Sequence, residues 1–351
     1  MAKITNLFRD KVYTFNKPRE VFESEKEIIS AIADDLNLKI KNIYFIDANI
    51  HNDLFKIECE NANFYLKLSL EESTDFEKEY NIFIRNPHNL ITPRYLSFGT
   101  LETFKNLKFS LAYAIDVENL REYGVGQLLN NPYSIPFLFD QFTLFKTSNI
   151  ELNTFEDYLK PYLEFNIFNI PEINSSNIEA NPIIKNLVKK QVVILQEILK
   201  DKLTKINFEN SDFCHGNLNQ STILPYGDLL KCINFENSYI GDMLFEILNL
   251  KYELFYNERI EDSIINNFHK ISNKKLNLFK TKEYREFCCY WNLLKICIDY
   301  LKEIFILQSQ RQDKILNIAI RFSKNYENFY QLPDFEKNFK PIAELFVESV
   351  I

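Results

Sequence analysis

Residues able to do chemistry gather in one stretch, Cys214-His215-Gly216-Asn217-Leu218-Asn219-Gln220-Ser221-Thr222-Ile223-Leu224. Two more segments follow it, Ile233-Asn234-Phe235-Glu236 and Gly241-Asp242-Met243-Leu244-Phe245-Glu246. His215 carries an imidazole suited to proton transfer near neutral pH. Asn217 and Asn234 offer amides, whose carbonyl oxygens accept hydrogen bonds or reach a metal but have no useful basicity and no charge. Thr222 is a weaker oxygen ligand still. Glu236 supplies a carboxylate two residues beyond Asn234, and side chains two apart on a strand share a face. Upstream, Phe64-Tyr65-Leu66-Lys67 closes a β-rich run with an ammonium able to bind phosphate.

The 214–224 segment resembles the catalytic loop of the aminoglycoside phosphotransferase and choline kinase superfamily, written H-G-D-x-x-x-x-N-I-L. Ile233 to Glu236 resembles the family's metal-binding I-D-F-E, and Gly241 to Glu246 resembles the G-D-x-x-x-D that follows it. All three agree in order and distance. Phe64 to Lys67 resembles the third strand with its phosphate-binding lysine, and Glu79 stands where the family's helix carries the lysine's partner. Thr92-Pro93-Arg94 resembles the start of strand four, and Leu111 to Leu120, LAYAIDVENL, resembles the hinge L-M-E-Y-x-x-G-E-N-L. The resemblance covers roughly residues 40–330. It implies an α+β, protein kinase-like two-lobed fold, with a small antiparallel sheet and one helix before a larger helical lobe. It further implies ATP as the nucleotide, with Lys67, Glu79, Tyr113 and Ile115 as nucleotide-binding residues. His215 and Asp242 become residues that brace the loop.

Three positions depart from the family pattern. In kinase-type phosphoryl transfer a loop aspartate accepts the substrate hydroxyl proton, while a loop asparagine and a second aspartate hold Mg²⁺. Here Asn217 stands at the first aspartate, Thr222 at the asparagine and Asn234 at the second aspartate. Losing a general base typically costs on the order of 10²–10⁴ in rate. Mg²⁺ is a hard cation held mainly through carboxylates, so Asn234 and Thr222 argue against tight metal binding, with Glu236 the one replacement carboxylate. The phosphate-covering turn, Ala48 to Asn52, has no glycine.

The elements that must position these groups follow from apolar spacing. Residues 24–36 carry a helical stripe at Ile28, Ile29, Ile32 and Leu36, and Ser24 with Glu27 reads as a capping box. IYFIDANI, DLFKIECE and NFYLKLSL alternate as three strands. Residues 74–86 return to helical spacing, and 90–100 and 108–117 read as two more strands with a turn around Glu102 to Asn106. Helical spacing then dominates over 136–147, 154–165, 182–203, 243–257, 261–270, 283–307 and 312–330, interrupted by a β-like island at 211–236. We place an N-terminal lobe at 1–115 and a helical C-terminal lobe at 116–351. Tyr290, Trp291 and Tyr300 lie where aromatics could box a quaternary ammonium by cation–π attraction, or simply fill a core. The Glu- and Lys-rich faces after 283 read as ordinary helix surfaces.

The chain has 351 residues, is 46% hydrophobic and carries a net charge of −8, which suits a globular protein and weighs against a nucleic-acid partner. Six cysteines without C-x-x-C spacing read as core thiols in a reducing compartment. The start lacks an apolar h-region and no run of 18 apolar residues exists, so we expect a cytoplasmic protein that does not engage a membrane. Two functions compete. One is a catalytically impaired pseudokinase that binds a nucleotide or small ligand, or a protein partner. The other is an active kinase for an alcohol such as choline, ethanolamine, a sugar or an aminoglycoside. A third, nucleotidyl transfer in an inherited kinase cleft, is required by none of the residues.

Overall fold

The computed structural model describes residues 20–48, 53–69, 75–104, 106–114, 131, 133–166, 182–208, 210–219, 222–226, 229–254, 258–267, 277–302, 312–341 and 343–344. These divide into two compact units, one built from 16–152 and 220–238, the other from 153–219 and 239–351.

The first unit is a five-stranded antiparallel sheet. Its strands are β1 (Ile40–Ala48), β2 (Asp53–Cys59), β3 (Asn63–Ser69), β4 (Tyr95–Leu101) and β5 (Leu107–Tyr113), in the order β1-β2-β3-β5-β4. Period-two alternation sorts the side chains. Phe55 and Ile57 of β2, Phe64, Leu66 and Leu68 of β3, and Phe109 and Leu111 of β5 bury one face against Ile29 and Ile32 of helix α1 (Glu23–Asp35). Lys67, between Leu66 and Leu68, must therefore point to the opposite face, where helix α2 (Phe76–Arg85) packs against β4 and β5. Asp75 caps α2 by accepting the Lys78 N–H at 2.8 Å. The β4–β5 connection runs through a 3₁₀ turn at Glu102–Phe104 and a left-handed Asn106, φ 58°.

Several boundaries differ from the expected ones. The first helix is capped two residues earlier than Ser24 and Glu27 suggested: Glu25 accepts the Phe22 N–H at 2.8 Å, and Ser24 lies inside the first turn. Strand β4 begins at Tyr95 instead of residue 90. Pro93 has no N–H to give a ladder, and the Ile91 carbonyl instead accepts the Cys232 N–H at 2.6 Å. That bond joins the sheet unit to a hairpin from far along the chain, β8 (Ile223–Tyr226) and β9 (Leu229–Cys232). Helix α3 (Ser134–Phe142) completes this unit.

The second unit is helical, with α4 (Phe155–Leu163), α5 (Pro182–Leu203), α6 (Met243–Glu253), α7 (Glu258–Asn267), α8 (Lys282–Leu301) and α9 (Gln312–Tyr330). A small sheet of β6 (Asn153–Thr154), β10 (Tyr239–Gly241) and β7 (Asp212–Cys214) carries the residues flanking the loop-like segment. Tyr290, Trp291 and Tyr300 are core residues of α8, each no more than 4% exposed. Trp291 sits 5.0 Å from the Tyr162 ring and 5.6 Å from Phe245, so the bland reading of these aromatics is the observed one. The charged faces after 283 are not all solvated. Lys295 and Arg321 both reach Glu253, at 3.0 and 2.7 Å, in a largely buried network. All six cysteines are buried, and none forms a disulfide. Among the described residues no helix is long and apolar enough to cross a membrane.

Gly241, at the end of β10, leaves room for the Tyr239 and Phe155 rings. A Cβ there would lie 2.3 Å from the Tyr239 ring, and that ring has no room to yield because it stacks on Tyr158 at 4.1 Å. Gly241→Ala is therefore expected to destabilise the protein by roughly 1–3 kcal/mol through overpacking, read as a lowered denaturant midpoint with an unchanged slope.

Candidate nucleotide and catalytic-loop sites

In the sheet unit, Lys67 is the centre of a buried ionic cluster. Its Nζ donates to Glu79 Oε1 at 2.6 Å and to Glu236 Oε2 at 3.2 Å. Glu79 is fully buried because Phe76, Glu79 and Ile82 share the inward face of α2, while Glu77 faces outward. Glu236 arrives from the 3₁₀ turn Phe235–Asn237 that follows β9. That turn is fixed twice more: the Glu236 carbonyl accepts from Lys78 Nζ at 3.0 Å, and Phe235 stacks on Phe145.

The electrostatics follow from burial. Desolvation drives the Glu79 carboxyl upward, Lys67 opposes it, and the balance is a value raised to about 7. For Lys67, burial works against the charged form, but the charges of Glu236 and Glu79 outweigh it and hold the ammonium protonated. Tyr95, beside the same carboxylates, is pushed well above the usual phenol range by burial first and by those charges second. Glu79 Oε2 is buried without a hydrogen-bond partner among the described residues.

Asn234 precedes the turn in a left-handed conformation, φ 70° and ψ 55°, which asparagine tolerates better than most residues. Its Oδ1 is buried with no partner among the described residues. Thr222 is fully buried, and its carbonyl accepts the Ile233 N–H at 3.0 Å, next to Asn234. As a Mg²⁺ site this donor set does not fit: it offers one amide oxygen, one hydroxyl, and one carboxylate already engaged by Lys67. Among the described residues no three His, Cys, Asp or Glu side chains gather as a metal would need. Tyr113 lies opposite Phe64, its N–H donating to the Arg94 carbonyl at 2.8 Å and its ring 5.0 Å from Phe64. Ile115 lies outside the described residues, as does the turn at 49–52.

In the helical unit, the segment after β7 is a braced loop. His215 is fully buried, and its Nδ1 accepts the Asn217 N–H at 3.2 Å. Gly216 takes φ 81°, a left-handed conformation that favours glycine, and its N–H donates to Glu246 Oε2 at 3.0 Å. Asn217 is half-buried, and its Oδ1 accepts from Asn219 Nδ2 at 3.0 Å. Asp242 is fully buried and caps α6 by accepting the Leu244 N–H at 2.9 Å. The brace that the sequence reading missed is Glu246. The signal was available: an acid inside the apolar run Met243 to Leu250 must find partners once buried.

Burial raises the Glu246 carboxyl to about 7, against the pull of the Gly216 N–H, Lys295 and the other loop amides. The folded value lies above the ordinary one. Its stabilising contribution is therefore complete below about pH 4.5 and is lost as pH rises through about 7. In Glu246→Gln that dependence disappears. The stability difference between the native protein and this variant is expected to shrink by roughly 1–3 kcal/mol from pH 4.5 to 8, measured by chemical denaturation across the range.

No protein-family model matches the sequence, and no curated protein matches it by sequence. Solved structures do match. Spectinomycin phosphotransferase APH(9)-Ia, solved with ADP and spectinomycin, aligns with a TM-score of 0.62 at 13% identity, over 92% of this chain and 98% of that one. Ethanolamine kinase from Plasmodium vivax aligns at 0.58 and 17% identity, over 96% and 95%. Choline kinase LicA from Streptococcus pneumoniae aligns at 0.56 and 13% identity, over 87% and 100%. The order of strands and helices over nearly the whole chain, not sequence identity, carries the match, and the chain has the α+β, protein kinase-like fold of the aminoglycoside phosphotransferase and choline kinase superfamily.

Proposed function

We propose that this protein is a catalytically impaired member of the kinase-fold group, a pseudokinase that binds a nucleotide or small phosphorylated ligand and acts through binding or regulation. The carrying observation is the contrast at its chemical groups. Lys67 keeps the buried carboxylate partner that an anchoring ammonium needs, at 2.6 Å, while amides stand at both positions where transfer needs carboxylates, Asn217 and Asn234. An amide at 217 takes no proton from an alcohol. The solved APH(9)-Ia carries ADP, and APH(4)-Ia has been solved with AMP-PNP, which supports ATP or ADP as the nucleotide class here. The donor set argues against a firmly held Mg²⁺. The net charge of −8 disfavours a nucleic-acid partner, and six cysteines outside any disulfide suit a reducing, cytoplasmic setting.

A second reading, an active ATP-dependent kinase for choline, ethanolamine, a sugar or an aminoglycoside, draws on one specific observation. The Asn234 Oδ1 is buried and unpartnered, two residues from the Glu236 carboxylate. In that reading Asn234 and Glu236 are the residues that would hold a divalent cation, and Glu236 would have to give up Lys67 to do so. The test is a thermal-shift series with ATP and ADP, with and without Mg²⁺ or Mn²⁺, alongside a phosphoryl-transfer assay on those alcohols. The pseudokinase reading expects nucleotide stabilisation that metal leaves unchanged, and no transfer above background. Metal-dependent stabilisation, with turnover that vanishes in Asn217→Ala, would establish the second reading in its place.

A further inference from the structure

The helical unit carries a cavity of about 340 Å³ at the C-terminal end of α6, the start of α8 and the end of α9. Met243, at the other end of α6, adjoins the Asp242 cap, and eight residues of helix separate it from Lys251 by roughly 12 Å. Of the α6 residues, Leu248, Lys251 and Tyr252 line the cavity, whereas Asp242 and Glu246, which fix the loop, do not.

Its lining is cationic in a chain whose net charge is −8. Lys251, Lys280, Lys282 and Arg285 line it, against one carboxylate, Glu286. The neighbouring pairs do not close the balance. Glu261 takes both Lys251 and Arg285, while Glu286 takes Lys202 at 2.7 Å and Lys282 at 3.6 Å. Among the described residues these ion pairs set two carboxylates against four cations, and Lys280, a fifth, has no carboxylate partner there. Lys251 is only 3% exposed, so one of these charges is built into the wall. A second, independent observation points the same way. Asn328 lines the cavity, and its Nδ2 is buried with no acceptor among the described residues. An unpaired buried donor is costly and is satisfied by an incoming acceptor oxygen. The first turn of α8, with Thr281 as its cap, adds the positive end of a 20-residue helix.

Size and the remaining walls narrow the class. A 340 Å³ cavity exceeds what a bare anion fills and falls in the range of small-molecule sites. Leu248, Leu332 and Tyr252 supply an apolar side. We propose that this cavity binds a small organic phosphate monoester, its dianion held by Lys280, Lys282, Arg285 and the Asn328 amide and its carbon skeleton against Leu248 and Leu332.

The experiment is a thermal-shift titration of the full chain at constant ionic strength with glycerol 3-phosphate, glucose 6-phosphate and inorganic phosphate, with sulfate and chloride as controls. The same series is run on Lys280→Glu/Lys282→Glu, two exposed positions that leave the core intact, and on Asn328→Leu. Lys67→Met, taken as a control only where circular dichroism shows it folded at the start of the titration, reports binding at the kinase-type site. The proposal expects saturable stabilisation by at least one phosphate monoester, retained in Lys67→Met. It expects about tenfold weaker binding in the double variant and in Asn328→Leu, the latter with no loss of unliganded stability. Stabilisation equal in the native protein and the double variant, stabilisation that tracks ionic strength and not the anion, no saturable binding at millimolar concentration, or loss of the effect in Lys67→Met would each overturn it.

Discussion

A buried ammonium is tolerated only when carboxylates answer it, and removing one partner of such a pair commonly costs about 3–5 kcal/mol. Lys67 imposes that constraint on the sheet unit. Its position on β3, one residue out of phase with the apolar face, turns it toward α2, and the two carboxylates that meet it come from segments 12 and 169 residues away in sequence. The strand, the helix and the turn after β9 are therefore tied by one charge cluster. The Lys78 bond to the Glu236 carbonyl, the Ile91–Cys232 bond and the Phe145–Phe235 stack reinforce the same turn. This constrains where Asn234 can sit, and it explains why a segment of hairpin far along the chain belongs to the sheet unit.

The helical unit solves an analogous problem with backbone donors. Glu246 is buried in an apolar helix and takes the Gly216 N–H, while Asp242 caps the same helix and His215 accepts the Asn217 N–H. These bonds fix the backbone of the loop irrespective of whether residue 217 is an acid or an amide. A loop can thus hold its shape after its basic group has gone, and retained architecture by itself says little about retained turnover. The amide at 217 even has a use in the structure, accepting from Asn219.

Much of this was legible from residue types. Alternation in β2, β3 and β5 placed the sheet, the apolar stripe of α1 placed its covering helix, and the spacing of the 214–246 segments placed the loop. What escaped had physical reasons. The Glu236–Lys67 contact joins residues 169 apart, and reading Glu236 as a metal ligand hid its role as an ion-pair partner. Two overlapping acid spacings, Phe22 with Glu25 and Ser24 with Glu27, compete for one helix start, and local sequence alone does not choose between them. Aromatic spacing at Tyr290, Trp291 and Tyr300 is the same for a cation box and a core, and only packing separates them. The cation-rich cavity assembles residues from three helices whose faces, taken singly, look like ordinary solvated surface.

The proposed function makes Lys67 the nucleotide anchor, and Glu236, its second ion-pair partner, would then compete with a phosphate for it. Metal-free ADP binding by calorimetry to the native protein, Lys67→Met and Glu236→Gln tests this directly. The account predicts binding tightened several-fold in Glu236→Gln, because one competing carboxylate charge is gone, and lost in Lys67→Met. Weaker binding in Glu236→Gln than in the native protein, or undiminished binding in Lys67→Met, would contradict it.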